Sequence, residues 1–183
     1  TVLSSPELES LTTIEIEREM ARGAEVFKPL NSRIYDDPRS KLVFDDAKAF
    51  FAGAGDTYDV ILSEPSNPWV SGVSSLFTVE FYQEVKRYLA DGGMLGQWIH
   101  GYELSDELLF SVLAAPLKKI SDYVVYRCGS RDWVIVAVPE GTVPPAQALP
   151  LEWEDFREGS DLMGVHDFAQ FQTLMIANKA MLH

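Results

Sequence analysis

The stretch from Tyr58 to Tyr82 restricts this chain more than any other. The apolar run Val60 to Leu62 ends abruptly in the polar, proline-broken loop Ser63 to Pro68, and a helix-like segment starts near Thr78. A buried strand that stops at an acid, Glu64, and then breaks on Pro65 and Pro68 is how an open α/β sheet presents a reactive carboxylate. Ligands in such sheets sit outside the carboxyl ends of the strands. Glu64 is therefore the first candidate for chemistry.

The remaining segments fit the same architecture. Thr1 to Leu11 reads as a helix end, Thr12 to Glu17 as a strand, and Glu19 to Phe27 as a helix with Met20, Ala24 and Phe27 on one face. A short strand, Lys41 to Phe44, leads through Asp45-Asp46 into a helix over Ala47 to Ala52. After the strand Tyr58 to Ser63, an amphipathic helix is expected over Thr78 to Ala90, with Thr78 as its N-cap. Asp91-Gly92-Gly93 then opens a strand over Met94 to Ile99, and a helix follows over Asp106 to Ala115, stopped by Pro116. Tyr123 to Arg127 and Trp133 to Val138 read as a hairpin. The fold class is a doubly wound, mostly parallel α/β sheet with an antiparallel C-terminal hairpin. Residues 1–138 form the expected domain, and residues 139–183 a proline-rich connector and a tail with one helix, Phe168 to Met181.

Charge and composition remove several function classes. The 183 residues carry a formal charge of −13, against a nucleic-acid role, since phosphate binding needs clustered Lys and Arg. An acidic balance is compatible with a cationic substrate, and equally with an ordinary solvated surface. Cys128 is the single cysteine, and His100, His166 and His183 lack ligand spacing, so neither a disulfide within the chain nor a metal site is expected. No apolar run approaches the roughly 18 residues of a membrane span, and there is no signal-peptide pattern. The expected location is cytoplasmic.

Glu15 and Glu17 finish the first strand, Asp46 follows the second, and Glu64 follows the third. In one parallel sheet these ends share an edge. A carboxylate there accepts both hydroxyls of a ribose, a second accepts a nucleobase amino hydrogen, and a third takes the proton of an attacking amine. Acids at strand ends are also turn formers and helix caps, and both readings stand. Trp69 and Trp98 fit the wall of an adenine or substrate pocket, though ordinary half-buried aromatics are the favoured reading.

The ordered set Glu15-Ile16-Glu17, Asp45-Asp46-Ala47, Tyr58-Asp59-Val60-Ile61, Ser66-Asn67-Pro68 and Leu76-Phe77-Thr78-x-Glu80-Phe81-Tyr82 resembles the polyamine aminopropyltransferases, the spermidine and spermine synthases. The resemblance covers roughly Thr1 to Val138. Ser63-Glu64-Pro65-Ser66-Asn67-Pro68-Trp69 further resembles a bacterial spermidine-synthase-like branch, some of whose members are fused to membrane segments. The resemblance implies a methyltransferase-like Rossmann fold. It also implies transfer of an aminopropyl group from decarboxylated S-adenosylmethionine to a diamine, with no metal. By position, Glu15 holds the ribose hydroxyls, Asp46 the adenine amino group, Glu64 takes the amine proton as general base, and Asn67 binds the substrate amine.

Glu64 and Asn67 both stand where the family carries aspartate. Asn67 removes a charge that would attract a diamine, while Arg127 and Arg131 suit an acidic group such as the carboxylate of intact S-adenosylmethionine. A methyltransferase and a catalytically silent nucleoside-binding module are therefore the alternative readings. The family's first strand and glycine-rich turn precede the region matched here. The chain is expected to be an N-terminally truncated fragment that is inactive alone, binds the donor weakly, and has strand edges open to a second copy as a homodimer.

Overall fold

The computed structural model describes residues 2–53, 55–65, 72–102, 105, 107, 120–129 and 131–182. It divides into two units, one of residues 1–55 and 150–164, the other of residues 56–149 and 165–183. The second half of the chain is thus shared between both.

In the first unit, β1 (Leu11–Glu15) and β2 (Ser40–Phe44) pair in parallel, in register from Leu11 with Ser40 to Glu15 with Phe44. Helices α1 (Arg18–Ala24), α2 (Arg33–Asp36) and α3 (Ala47–Gly53) accompany them. Two strands bury little on their own, and the expected apolar face of α1 is not used as core: Met20 and Phe27 stay exposed. A polar clamp compensates. Arg39 donates from Nη1 to the Ser5 carbonyl at 2.8 Å, from Nη2 to the Leu3 carbonyl at 2.8 Å, and to both carboxylate oxygens of Asp37. One guanidinium thereby ties the N-terminal segment to the start of β2.

The second unit holds a five-stranded sheet in the order β3-β4-β6-β5-β7. Its strands are β3 (Tyr58–Ser63), β4 (Leu89–His100), β5 (Asp122–Cys128), β6 (Asp132–Val138) and β7 (Met175–Asn178). β3 and β4 are parallel, and the remaining pairs are antiparallel. The expected β5–β6 hairpin is present. Leu95, Ile99, Val125, Ile135 and Ala137 lie buried in the sheet, joined by Tyr82 and Val85 of α4 (Val79–Val85). Each such side chain contributes about 1.5–3 kcal/mol on burial.

Three elements differ from expectation. α4 starts where expected, with the Thr78 hydroxyl accepting from Phe81 N at 3.2 Å, but it ends at Val85 rather than Ala90. Tyr58 N takes the Tyr88 carbonyl at 2.8 Å and Leu89 pairs with Tyr58, so strand pairing claims residues whose spacing looks helical. Asp91-Gly92-Gly93 then forms a bulge inside β4: Gly92 has φ +78°, and a Cβ on Gly93 would stand 2.9 Å from the Ala90 carbonyl.

The tail is not a single helix. α5 (Glu154–Leu162) precedes α6 (Phe168–Thr173), β7 and α7 (Lys179–Leu182). The free edge of β5 recruits Met175–Asn178, with Arg127 N donating to the Leu174 carbonyl at 2.8 Å, while Phe171 stacks on Tyr126. Edge pairing outweighs local helix propensity here. The helix expected over Asp106 to Ala115 lies almost wholly outside the described residues.

Two outcomes are expected. A Cβ at Gly101 would stand 1.7 Å from the Trp133 ring and 2.8 Å from the Arg131 carbonyl. Gly101→Ala should therefore lower stability by about 1–3 kcal/mol, read from the urea midpoint. The hydrogen bonds from Arg39 hold the Asp37 carboxyl at about 2, below its ordinary 3.8. Asp37 thus stabilises the fold above pH 3.8, and this contribution is lost as pH falls through 2. Asp37→Asn should be less stable than wild type at neutral pH, with the gap closing across that acid window in a circular-dichroism titration.

Candidate functional site

The parallel register of β1 and β2 sets their carboxyl ends side by side, and the Glu15 carbonyl accepts from Asp45 N at 3.2 Å. Glu15 and Asp46 therefore share one edge, but Glu64 does not join them in one parallel sheet as expected: among the described residues β1 and β2 pair only with each other, and β3 belongs to the five-stranded sheet. Both carboxylates also hold local backbone. Glu15 Oε1 accepts from Glu17 N at 2.8 Å, and Asp46 Oδ1 accepts from Ala49 N at 3.0 Å in the first turn of α3. Each uses one oxygen in this way, so the other remains available to a ligand hydroxyl or amino group. Glu17 is the N-cap of α1, accepting from Glu19 N, which accounts for it structurally. Beside this edge, Arg18, Ala21, Tyr35, Leu42 and Phe44 line a cavity of about 370 Å³, with the Arg18 guanidinium 4.3 Å from the Phe44 ring centre.

In the second unit, Glu64 is exposed directly after β3, and its carboxylate makes no hydrogen bond among the described residues. Asn67 and Trp69 lie outside the described residues. Trp98 is half-buried and points its indole nitrogen at His100 Nδ1, 3.3 Å away. Arg127 and Arg131 are exposed and form no ion pair among the described residues.

Sequence reasoning missed one residue at this edge. Gln97 pairs in register with Ser63, the residue before Glu64, and is fully buried. Its Nε2 donates to the Trp98 carbonyl at 3.3 Å, while its Oε1 has no hydrogen-bond partner among the described residues. An orphaned buried acceptor costs about 1–3 kcal/mol, so it is kept at the expense of stability. The signal was a lone amide inside the apolar run Met94 to Ile99. Gln97 thus lies buried opposite Ser63, and the exposed Glu64 carboxylate follows directly after that pair.

A family model described as spermine/spermidine synthase domain matches residues 1–126. A polyamine aminopropyltransferase of Escherichia coli K12 is 41% identical over 88 residues, which make up 48% of this chain and 30% of that protein. The chain thus spans under a third of that relative's length. Among solved structures, a spermidine synthase in complex with the transition-state analogue AdoDATO superposes with a TM-score of 0.61 at 21% identity, covering 76% of this chain and 50% of the other. Human methyltransferase-like protein 13 in complex with SAH superposes with a TM-score of 0.58 at 20% identity, covering 85% and 71%. These likenesses bear out the methyltransferase-like Rossmann fold. Among the described residues, no helix is long and apolar enough to cross a membrane.

If Gln97 is retained for a ligand, removing its amide should help folding. Gln97→Leu is expected to raise the urea midpoint, by about 1 kcal/mol in stability. A drop of similar size would mean that its bond to the Trp98 carbonyl outweighs the orphaned oxygen.

Proposed function

The chain belongs to the spermine/spermidine synthase domain family, and on that premise we propose that it carries acceptor- and donor-binding residues of an aminopropyltransferase. The donor is decarboxylated S-adenosylmethionine and the acceptor a small diamine. The observation that carries this reading is the exposed Glu64 carboxylate directly after β3, without a hydrogen bond among the described residues. An exposed carboxylate without a donor suits an amine, which brings N–H groups and positive charge.

In the first unit, Glu15 receives the ribose hydroxyls and Asp46 the adenine amino group, each through the oxygen its backbone contact leaves open. In the second unit, Glu64 acts as general base. Asn67 is assigned to the same amine. The acceptor ammonium gives one proton to Glu64, and the freed nitrogen lone pair attacks the carbon bound to the sulfonium. The C–N bond forms as the C–S bond breaks, its electrons staying on sulfur, and methylthioadenosine leaves. No metal is called for, since the sulfonium is already a good leaving group.

A methyl transfer from intact S-adenosylmethionine is the second reading. The observation favouring it is the pair of exposed guanidiniums, Arg127 and Arg131, which suit the donor's carboxylate.

Calorimetric titration of the full-length natural protein with both donors separates the two. Tighter binding of the decarboxylated donor supports aminopropyl transfer, and tighter binding of the carboxylated one supports methyl transfer. Glu64→Gln should lower turnover by about 100- to 10,000-fold while leaving donor affinity unchanged. Equal loss of both would make Glu64 a structural residue.

A further inference from the structure

His100 is the last residue of β4 and Asp132 the first of β6, and the antiparallel register sets them directly opposite. His100 Nδ1 lies 3.0 Å from Asp132 Oδ1. The Trp98 indole nitrogen also lies 3.3 Å from that Nδ1. One neutral ring nitrogen cannot both give its hydrogen to a carboxylate and accept the indole's. The shorter contact, to a charged acceptor, prevails: Nδ1 carries the hydrogen and donates it to Asp132. Nε2 is left with its lone pair, and no described residue bonds it. The His100 side chain is 26% exposed and that of Asp132 33%, so the pair is neither dry nor fully solvated.

From this geometry we infer that His100, held by Asp132, is a second proton-accepting group at the carboxyl edge of β3 and β4. The inference rests on the proposed transfer to an amine.

Placement supports it. Leu62 of β3 reaches within 2.7 Å of where a Gly96 Cβ would stand, so Leu62 shares the face of Gly96. Strand alternation puts Trp98 and His100 on that face too, and carries Glu64, two residues past Leu62, to the same side. The rings of Trp98 and Tyr102 stand 6.0 Å and 5.5 Å from the His100 ring, suited to an organic cation. Among the described residues, the titratable and charged groups around the imidazole are Asp132 of β6, Cys128 of β5 beyond it in the same row, Tyr102 after β4, and Arg131 before β6. Burial and the Asp132 charge push the Cys128 thiol up, so it stays protonated and Asp132 supplies the local charge.

The step balances without any co-reactant. The proton that Glu64 takes from the acceptor ammonium passes on to Nε2, the carboxyl O–H bond breaking as an Nε2–H bond forms, and Asp132 offsets the imidazolium charge. The proton then leaves to solvent, as alkylation of a protonated amine requires the release of one proton overall.

The test compares wild type, His100→Gln and Asp132→Asn in the full-length natural protein, as pH profiles of kcat and kcat/KM with both donors. His100→Gln should lower kcat by about 100-fold or more and delete one limb of the wild-type pH profile. Asp132→Asn should alter that limb. A wild-type limb in both variants, with only the urea midpoint changed, would reduce the pair to a cross-strand tie and overturn the inference. A methylated product would sink the aminopropyl reading while leaving the His100 limb readable. No turnover with either donor would overturn both. Long-range nitrogen–proton NMR of the histidine-labelled chain provides a readout besides activity: an Nδ1–H tautomer at His100 is expected, and an Nε2–H tautomer would also overturn the inference.

Discussion

The chemistry of the second unit depends on one parallel pairing, that of β3 with β4. Between Tyr58 and Val60 the first strand takes two steps, while its partner takes five, from Leu89 to Met94. The Gly92-Gly93 bulge absorbs the excess. Beyond it the ladder runs evenly until Ser63 meets Gln97. A slip of one residue would exchange the two faces of β4, bringing Trp98 and His100 into the core and Gln97 out of it. The two glycines therefore fix which groups reach the edge beside Glu64, although neither touches it.

The two units solve the problem of stability differently. The five-stranded sheet buries a continuous apolar face, and it tolerates an unsatisfied glutamine oxygen within that face. The first unit has few buried side chains among its described residues and relies on directional bonds, with Arg39 joining three backbone carbonyls and Asp37. Directional bonds place Glu15 and Asp46 accurately at the ends of β1 and β2, but each adds only about 0.5–3 kcal/mol.

What was legible in the sequence follows from the range of the interactions involved. The strand Tyr58 to Ser63, the Thr78 cap and the β5–β6 hairpin rest on local patterns, and the structure has all three, although β3, at the sheet's edge, leaves Val60 and Leu62 exposed where a buried strand was expected. Tyr88 to Ala90 and Met175 to Asn178 have helical or neutral spacing, and only a distant strand edge decides their state. Both were read as helix. The acids at the strand ends were visible because acids are conspicuous after apolar runs. Gln97 was hidden because a single amide does not disturb such a run. His100 was set aside because its spacing suits no metal, whereas its partner Asp132 becomes a neighbour only through the β4–β6 register.

Proton affinity makes the imidazole matter beside a carboxylate. An alkylammonium has a pKa near 10 and an ordinary glutamic acid about 4.3, so proton transfer between them is uphill by roughly 8 kcal/mol. To an ordinary imidazole, at about 6.5, the same transfer is uphill by roughly 5 kcal/mol. The difference of about 3 kcal/mol is about a hundredfold in the population of free amine. Glu64 keeps an advantage of another kind: its negative charge attracts the ammonium and becomes neutral on accepting the proton. On the proposed reading a neutral imidazole becomes charged, and Asp132, 3.0 Å from its Nδ1, offsets that charge. The aspartate thus does for His100 what charge already does for Glu64. An acceptor edge holding both groups can attract a cation with one and hold its proton on the other.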